Sequence, residues 1–235
     1  DSSVNNCLIN GLGTEEAGSI GVMVGPETAV YNCGVVNFEN GIRAYGAGFT
    51  ISACRIEVNK TGILIGRDIN GSTFAGKAGS ITGNTLEGND EGIFLWSATE
   101  VNIAGNVITS GTNAPSGTSN TGLRIQSCQN CSILASNFNG NFSTSAVYLE
   151  GQPGFPAVTL INSSASSWSD AGGITYEGFA QINCSGIPTF AIPFAKLPVS
   201  PVQGMQFDIT DCGTATWGAI IPTGGGTRSA LLRRN

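Results

Sequence analysis

The stretch Asn84-Thr-Leu-Glu-Gly-Asn-Asp-Glu-Gly-Ile-Phe-Leu-Trp96 contains one copy of a unit that the chain repeats. An Asn followed two residues later by an apolar residue begins the unit, a polar turn follows, and Gly-Ile-Phe-Leu-Trp ends it. Segments with this kind of ending begin at Gly21, Gly41, Gly62, Gly92, Gly122, Ala146 and Gly173. The starts are roughly 20 to 30 residues apart, a period that predicts a solenoid with one coil per repeat.

Alternate residues within these segments differ in polarity, which predicts β-strands with one buried face. The predicted interior comprises Val22/Val24, Ile42/Ala44, Ile63/Ile65, Ile93/Leu95, Leu123/Ile125, Val147/Leu149 and Ile174/Tyr176. One outward column comprises Met23, Arg43, Leu64, Phe94, Arg124, Tyr148 and Thr175. The other comprises Gly25, Tyr45, Gly66, Trp96, Gln126, Glu150 and Glu177. The predicted fold class is all-β, a single-stranded parallel β-helix whose strands stack about 4.8 Å apart.

A second column of residues precedes the glycine segments, each near the start of a turn: Cys7, Cys33, Cys54, Asn84, Asn106, Asn137 and Asn162. Stacked Asn side chains can bond to turn backbone groups that would otherwise be buried without partners. Cys is small and tolerates burial at the same site. We therefore expect Cys7, Cys33 and Cys54 to form an internal stack of free thiols, with a disulfide among them as the alternative.

Composition excludes several classes of function. Charged residues are only 11% of the chain and the formal net charge is −6, which gives no support to nucleic-acid binding. There is no histidine, so Ser-His-Asp catalysis, Cys-His catalysis and His-ligated metal sites are excluded. A chain with this negative charge is better suited to bind a neutral or cationic partner, or a weakly charged polysaccharide, than a nucleic acid.

Cys128-x-x-Cys131 has the spacing of a redox or zinc pair, but no second pair of this kind exists. We therefore predict no metal site and no cofactor. No apolar run approaches the length of about 18 residues that a membrane span needs, so we expect no membrane insertion. Because the sequence begins with Asp1 rather than Met, we expect a processed product or a fragment.

Three regions are predicted along the chain. Residues 1–185 are predicted to form the β-helix, and residues 202–235 a small C-terminal β element that caps its open end. The Pro-rich residues 186–201 are predicted to be the connector between the two. Two coils carry insertions, at residues 66–77 and 110–121. Insertions in solenoids emerge as loops, often on the binding side, so both are expected to border the surface that carries Phe94 and Trp96.

The coil pattern resembles right-handed parallel β-helices of the pectate-lyase-like class over roughly residues 4–180. The tail, with Ile209-Thr-Asp-Cys-Gly-Thr-Ala-Thr-Trp217 and Gly224 through Asn235, is similar to the C-terminal segments of phage tailspikes and tail-fibre depolymerases. The resemblance implies a virion attachment protein, a homotrimer, that binds or cuts a bacterial surface polysaccharide. No catalytic motif of these families matches residue by residue, so none is transferred.

Three acids are candidate catalytic residues. Glu150 and Glu177 occupy the same position of adjacent aligned segments, and Asp68 lies in the first insertion. Two stacked carboxylates raise the pKa of one of them and so produce a general acid. A pair of carboxyl groups is what a glycosidase requires. The alternatives are that these acids are solvated surface residues or that they pair with Arg124.

Tyr45, Phe94, Trp96 and Tyr148 form an outward aromatic stripe, together with Arg43 and Arg124. Aromatic faces stack on sugar rings, and exposed aromatic patches mark interaction sites. These six residues are the predicted carbohydrate-binding site. Burial beneath the insertions or in a trimer interface is the alternative.

Three functions follow as hypotheses. The first is a virion or extracellular β-helix that recognises polysaccharide, with possible endoglycosidase activity. The second is a bacterial pectate-lyase-like lyase or epimerase, which needs a base and clustered charges on one strand face. The third is a non-catalytic structural or adhesive β-helix.

Overall fold

The computed structural model describes residues 2–11, 17–66, 76–126 and 128–150, and the strands at 159–161, 164–165, 168–170, 191–192, 206–212 and 228–233. From Leu149 onward only backbone pairing is described. Within these residues the chain winds through three parallel sheets of seven strands each. Each coil contributes one strand to sheet 1, then one to sheet 2, then one to sheet 3.

The first four coils comprise β1 Ser2–Asn5, β2 Leu8–Asn10, β3 Ile20–Val24; β4 Thr28–Tyr31, β5 Gly34–Val36, β6 Asn40–Ala44; β7 Thr50–Ser52, β8 Arg55–Glu57, β9 Thr61–Ile65; and β10 Ser80–Thr82, β11 Thr85–Glu87, β12 Glu91–Trp96. The next three comprise β13 Asn102–Ala104, β14 Val107–Thr109, β15 Thr121–Gln126; β16 Ser132–Leu134, β17 Asn137–Asn139, β18 Ser145–Glu150; and β19 Thr159–Ile161, β20 Ser164–Ala165, β21 Trp168–Asp170.

This stacking confirms the predicted all-β parallel solenoid. A separate three-stranded sheet follows, formed by β22 Ala191–Ile192, β23 Gln206–Cys212 and β24 Arg228–Arg233. Its first strand lies within the stretch predicted to be a connector. In the part of the chain that is described, no helix has the length and apolar character needed to cross a membrane.

The interior is a set of apolar columns, one residue from each coil. Sheet 1 contributes Val30, Ile51, Ile81, Ile103 and Ile133; sheet 2 contributes Val35, Ile56, Leu86, Ile108 and Phe138; sheet 3 contributes Ile42, Ile63, Ile93, Leu123 and Val147. All of these are buried. The register places each residue directly above its equivalent in the previous coil, for example Ile93 between Ile63 and Leu123. Dense stacking of branched side chains is therefore the main apolar contribution to stability.

The glycine that begins most of the sheet 3 segments is required by a close approach between coils. A Cβ added at Gly92 would lie 2.4 Å from the carbonyl oxygen of Gly122 and 2.8 Å from a methyl of Ile108. Gly41 and Gly62 meet the next coil's carbonyl oxygen at 2.7 and 2.6 Å. The repeated glycine in the sequence therefore reports a packing constraint at the corner between sheets 2 and 3.

At the corner between sheets 1 and 2, buried polar side chains connect successive coils. The Asn84 side-chain oxygen accepts from the Cys54 N–H at 2.9 Å, and its amide donates to the Ile51 carbonyl at 3.1 Å. Asn106 accepts from the Asn84 N–H at 3.0 Å in the same way. The Cys54 thiol donates to the Val30 carbonyl of the previous coil at 3.8 Å. The cysteine thus supplies the same donor as the asparagines, which explains why both residue types share the column.

Two predictions about this column were wrong in detail. Ser136, not Asn137, continues the ladder, since its hydroxyl accepts from the Asn106 N–H at 3.3 Å. Asn137 lies one residue later, in β17 opposite Val107. Adjacent polar residues in the sequence made the two positions indistinguishable. Cys7, Cys33 and Cys54 are free thiols as predicted, but Cys7 is exposed because it lies in the terminal coil of the described stack. Asn162 lies outside the described residues.

A second ladder, at the corner between sheets 2 and 3, was not predicted. Asn59 accepts from the Phe38 N–H at 2.9 Å, and Asn89 accepts from the Asn59 N–H at 2.9 Å. Asn89 also donates to the Ile56 carbonyl at 2.9 Å. The ladder spans only two asparagines, so it gave no clear repeat in the sequence. Both ladders satisfy backbone groups that are buried or partly buried at the corners.

Replacing Asn84 with Ala should lower the free energy of unfolding by about 3 kcal/mol, because the buried Cys54 N–H and Ile51 carbonyl lose their partners. Asn139→Ala, at an exposed position of β17 in sheet 2, is the control and should change little. Urea unfolding of both variants measures the difference. Equal midpoints would contradict the ladder as a stabilising element.

Gly92→Ala should destabilise the fold by about 1–3 kcal/mol, because the added methyl overpacks against backbone that cannot move independently. Gly34→Ala is the control, since its added methyl meets only the flexible end of the exposed Leu8 side chain. Thermal unfolding of the two variants side by side tests this expectation. A Gly92→Ala protein as stable as Gly34→Ala would show that the close approach is not a constraint.

Candidate functional site

The outer surface of sheet 3 is built from side chains in strict register. Met23 pairs with Arg43, Arg43 with Leu64, Leu64 with Phe94, Phe94 with Arg124, and Arg124 with Tyr148. The first predicted outward column is therefore a single file along the solenoid, with neighbours one strand spacing of about 4.8 Å apart. We call this surface the sheet 3 face.

Phe94 is less accessible than the sequence suggested. Its side chain points outward, yet the residue is only 8% exposed, as is Leu64 beside it. The Phe94 ring stacks on the Trp96 ring, with centroids 5.8 Å apart and planes 19° apart. The Arg124 guanidinium lies over the Phe94 ring at 4.6 Å from its centroid. Phe94 therefore supports Trp96 and Arg124, which are half-buried, rather than offering an open ring face.

Arg124 is also fixed by an ion pair that the sequence did not indicate. Its Nη1 donates to the Glu91 Oε1 at 2.9 Å, and the Arg124 and Glu91 side chains are 29% and 20% exposed. Glu91 begins β12, opposite Thr121, one coil before Arg124. The sequence offered pairing with Arg124 as one alternative role for Glu150, Glu177 and Asp68, and it did not name Glu91. The sequence feature that could have indicated this ion pair is the position of Glu91 at the start of β12, three residues before Phe94.

The second outward column contains Tyr45, Gly66, Trp96 and Gln126. Trp96 pairs with Gln126, and Gln126 with Glu150. Gly66 lies between Tyr45 and Trp96 and has a positive φ of 100°, and an added Cβ there would lie 1.8 Å from the Trp96 carbonyl oxygen. Tyr45 and Trp96 are both half-buried. Two aromatic side chains two coils apart thus flank a position that has no side chain.

The second insertion packs against the N-terminal ends of the sheet 3 strands. Asp90 Oδ1 accepts from the Ser116 N–H at 2.9 Å and from its hydroxyl at 2.7 Å. The Asp90 carbonyl oxygen accepts from the Asn120 N–H at 2.7 Å. The loop is therefore tied to the corner between sheets 2 and 3, where the sheet 3 strands begin, and Ser119 and Ala114 within it are buried. Residues 67–75 of the first insertion, Asp68 among them, lie outside the described residues.

The predicted alignment of the last sheet 3 segment was wrong. β18 pairs with β21, so Val147 lies opposite Trp168 and Leu149 opposite Asp170. The chain completes this coil before it reaches Gly173. The Ser-rich residues before Trp168 lack the glycine signature, which hid this strand in the sequence. Glu177 lies outside the described residues, so its pairing with Glu150 stays a prediction without support from the register.

Part of the chain is similar to a known family. Residues 70–155 match the family model described as "Periplasmic copper-binding protein (NosD)", which is less than half of the chain. The matched span covers β10 to β18, including Phe94, Trp96 and Arg124. No curated protein and no solved structure matches the chain.

The contact between Glu91 and Arg124 should be measurable as a coupling energy. In a double-mutant cycle with Glu91→Gln and Arg124→Met, we expect about 0.5–1 kcal/mol, decreasing as salt is added. The Arg55–Glu57 pair on sheet 2 is the control, because Arg55 is 71% exposed and its coupling should be smaller. Chemical unfolding of the single and double variants supplies the four values. A coupling no larger than in the control would contradict a fixed guanidinium.

Proposed function

We propose that this protein is an exported, non-catalytic β-solenoid that binds a polysaccharide along its sheet 3 face. The observation that carries the proposal is the file of aromatic and cationic side chains in strict register, with Trp96 held by Phe94 and Arg124 held by Glu91. Ring stacking gives affinity for the apolar faces of sugars, and fixed polar groups such as Arg124 and Gln126 are suited to hydroxyls or carboxylates.

Preorganisation supports this binding role. Trp96 and Arg124 each have a supporting side chain, so little conformational freedom is lost when a ligand binds. The backbone beneath them is fixed by coil stacking. A long linear ligand suits a surface that repeats along one axis, because successive sugar units meet equivalent positions. Arg43, Tyr45 and Tyr148 extend the proposed surface over neighbouring coils.

The partial match to a periplasmic family supports a location outside the cytoplasm. Within that proposal, the resemblance of the C-terminal residues to tailspikes favours a virion attachment protein that acts as a homotrimer on a bacterial surface glycan. The alternative use of the sheet 3 face is as the trimer contact itself. Phe94, already 8% exposed in one chain, would change little on assembly, whereas Trp96 and Tyr45 would become buried.

The copper binding named in the description of the matched family is not proposed for this chain, because the chain lacks suitable ligands. Protein ligands for copper are chiefly His, Cys and Met. The chain has no His, and its matched residues contain no Met and only Cys128 and Cys131 as soft ligands. Among the described residues, no group of three His, Cys, Asp or Glu side chains lies together. Two buried thiolates with one Cu(I) ion would carry a net negative charge into an apolar corner, which is unfavourable.

Hydrolysis by Glu150, Glu177 or Asp68 remains a prediction. On the described part of the sheet 3 face, the acid with a known partner is Glu91, and that partner is Arg124. This ion pair fixes the Arg124 guanidinium at the surface, which suits the binding of a ligand. The geometry therefore favours binding over cleavage.

Trp96→Ala should weaken polysaccharide binding by roughly 5- to 150-fold, because stacking on an aromatic face contributes on the order of 1–3 kcal/mol by analogy with base stacking. Tyr31→Ala, an exposed aromatic on the sheet 1 surface, is the matched control and should bind normally. Binding is measured by calorimetry on capsule and O-antigen preparations, with molar mass determined by light scattering.

The outcomes separate the alternatives. Loss of affinity with an unchanged molar mass supports the proposal. Loss of trimers with unchanged affinity would assign the sheet 3 face to subunit contact. New reducing ends in the same incubations, abolished by Glu150→Gln, would overturn the non-catalytic assignment.

A further inference from the structure

The corner between sheets 3 and 1 places two cysteines side by side in the interior. Cys128 and Cys131 follow β15 and precede β16, and both are buried. Gln129 bridges to Thr99 of the previous coil, and Asn130 has a positive φ of 52°. The backbone thus bends at Asn130, and the two cysteines lie on either side of this bend with both side chains in the interior.

The previous coil shows what this corner ordinarily contains. The register places Ala98 beneath Cys128 and Val101 beneath Cys131, and both are buried. One coil earlier the equivalents are glycines, and a Cβ added at Gly79 would lie 2.0 Å from the Phe49 ring. The corner is close-packed from coil to coil. Cysteine is therefore not needed to fill it, since alanine and valine do so.

The two thiols contact each other. They are joined by a side-chain hydrogen bond, which raises the pKa of Cys128 well above its usual range and lowers the pKa of Cys131. Each sulfur also points at carbonyl oxygens, Cys128 at Leu95 and Gln126 and Cys131 at Ala98 and Gln129. Cys33 and Cys54 make the same two kinds of contact with carbonyls, one in their own coil and one in the coil before, but they lie in different coils rather than at the same corner of one coil.

Two buried cysteines this close can bind a metal ion or form a disulfide, and the charge that each state would bury distinguishes the two. A metal ion held by this pair would require two buried thiolates beside carbonyl oxygens, which is unfavourable. A disulfide draws the sulfurs together to about 2.05 Å and is neutral. Burial of a neutral bond among apolar side chains has no cost in desolvated charge.

We propose that Cys128 and Cys131 form an intrachain disulfide that closes this corner of the solenoid. The oxidant is a small disulfide or a thiol oxidase of the disulfide class. The Cys131 thiolate attacks one oxidant sulfur and releases one thiol. Cys128 then loses its proton, displaces the second thiol, and completes the Cys128–Cys131 bond. Two thiols and one disulfide become one disulfide and two thiols. The inference does not rest on polysaccharide binding.

The test uses the full chain, purified in reductant and then refolded in a buffer of reduced and oxidised glutathione. The protein is unfolded, alkylated without reduction, digested and weighed. We expect the peptide that carries residues 128–131 to be two hydrogens lighter, with both cysteines unalkylated, while Cys33 and Cys54 are alkylated. Alkylation of both Cys128 and Cys131, or glutathione retained on either, would overturn the proposal.

A double variant keeps the test independent of folding failure. C128A/C131V copies the residues of the previous coil and should fold. Reductant should lower the thermal midpoint of the wild type and leave that of the variant unchanged. A second arm titrates the reduced wild type with Cu(I) in competition with a chromophoric chelator. Stoichiometric copper retention that the double variant loses, together with resistance to oxidation, would assign the pair to metal instead.

Discussion

Hydrogen bonding between successive coils at the corners is the constraint on which the rest of this structure depends. A parallel solenoid turns its backbone sharply three times per coil, and each turn leaves polar groups that point inward. Asn84 and Asn106 at one corner, and Asn59 and Asn89 at the next, satisfy those groups with side chains from the adjacent coil. Because an unpaired buried amide is costly, this arrangement fixes the register between coils.

The sheet 3 face is a consequence of that register. Side chains far apart in sequence become neighbours at one strand spacing, which brings Phe94 against Arg124 and lets Arg124 reach back to Glu91. These contacts hold two half-exposed side chains, Trp96 and Arg124, in defined positions. A surface that is rigid before a ligand arrives is suited to recognition.

The cysteines show how one residue type serves different ends in the same fold. Cys54 substitutes for an asparagine donor, and burial raises the pKa of its thiol, so it stays neutral. Cys128 and Cys131 stand where alanine and valine suffice one coil earlier, and their sulfurs face one another. Position within the coil, rather than accessibility, distinguishes a packing thiol from one placed to form a bond.

The sequence by itself determined the coil. Its glycine period, the alternation within each segment and the Asn and Cys column reflect local rules, since strand alternation and corner packing act residue by residue. Only the tertiary structure decided how coils align where those signals weaken. In the structure, Ser136 rather than Asn137 continues the ladder, and Trp168 rather than Ile174 lies opposite Val147. Arg124 forms its ion pair with Glu91. Phe94 is buried in the structure because the side chains of Trp96 and Arg124 cover its ring. Such contacts join residues about one coil apart, and their partners have no fixed spacing in the chain.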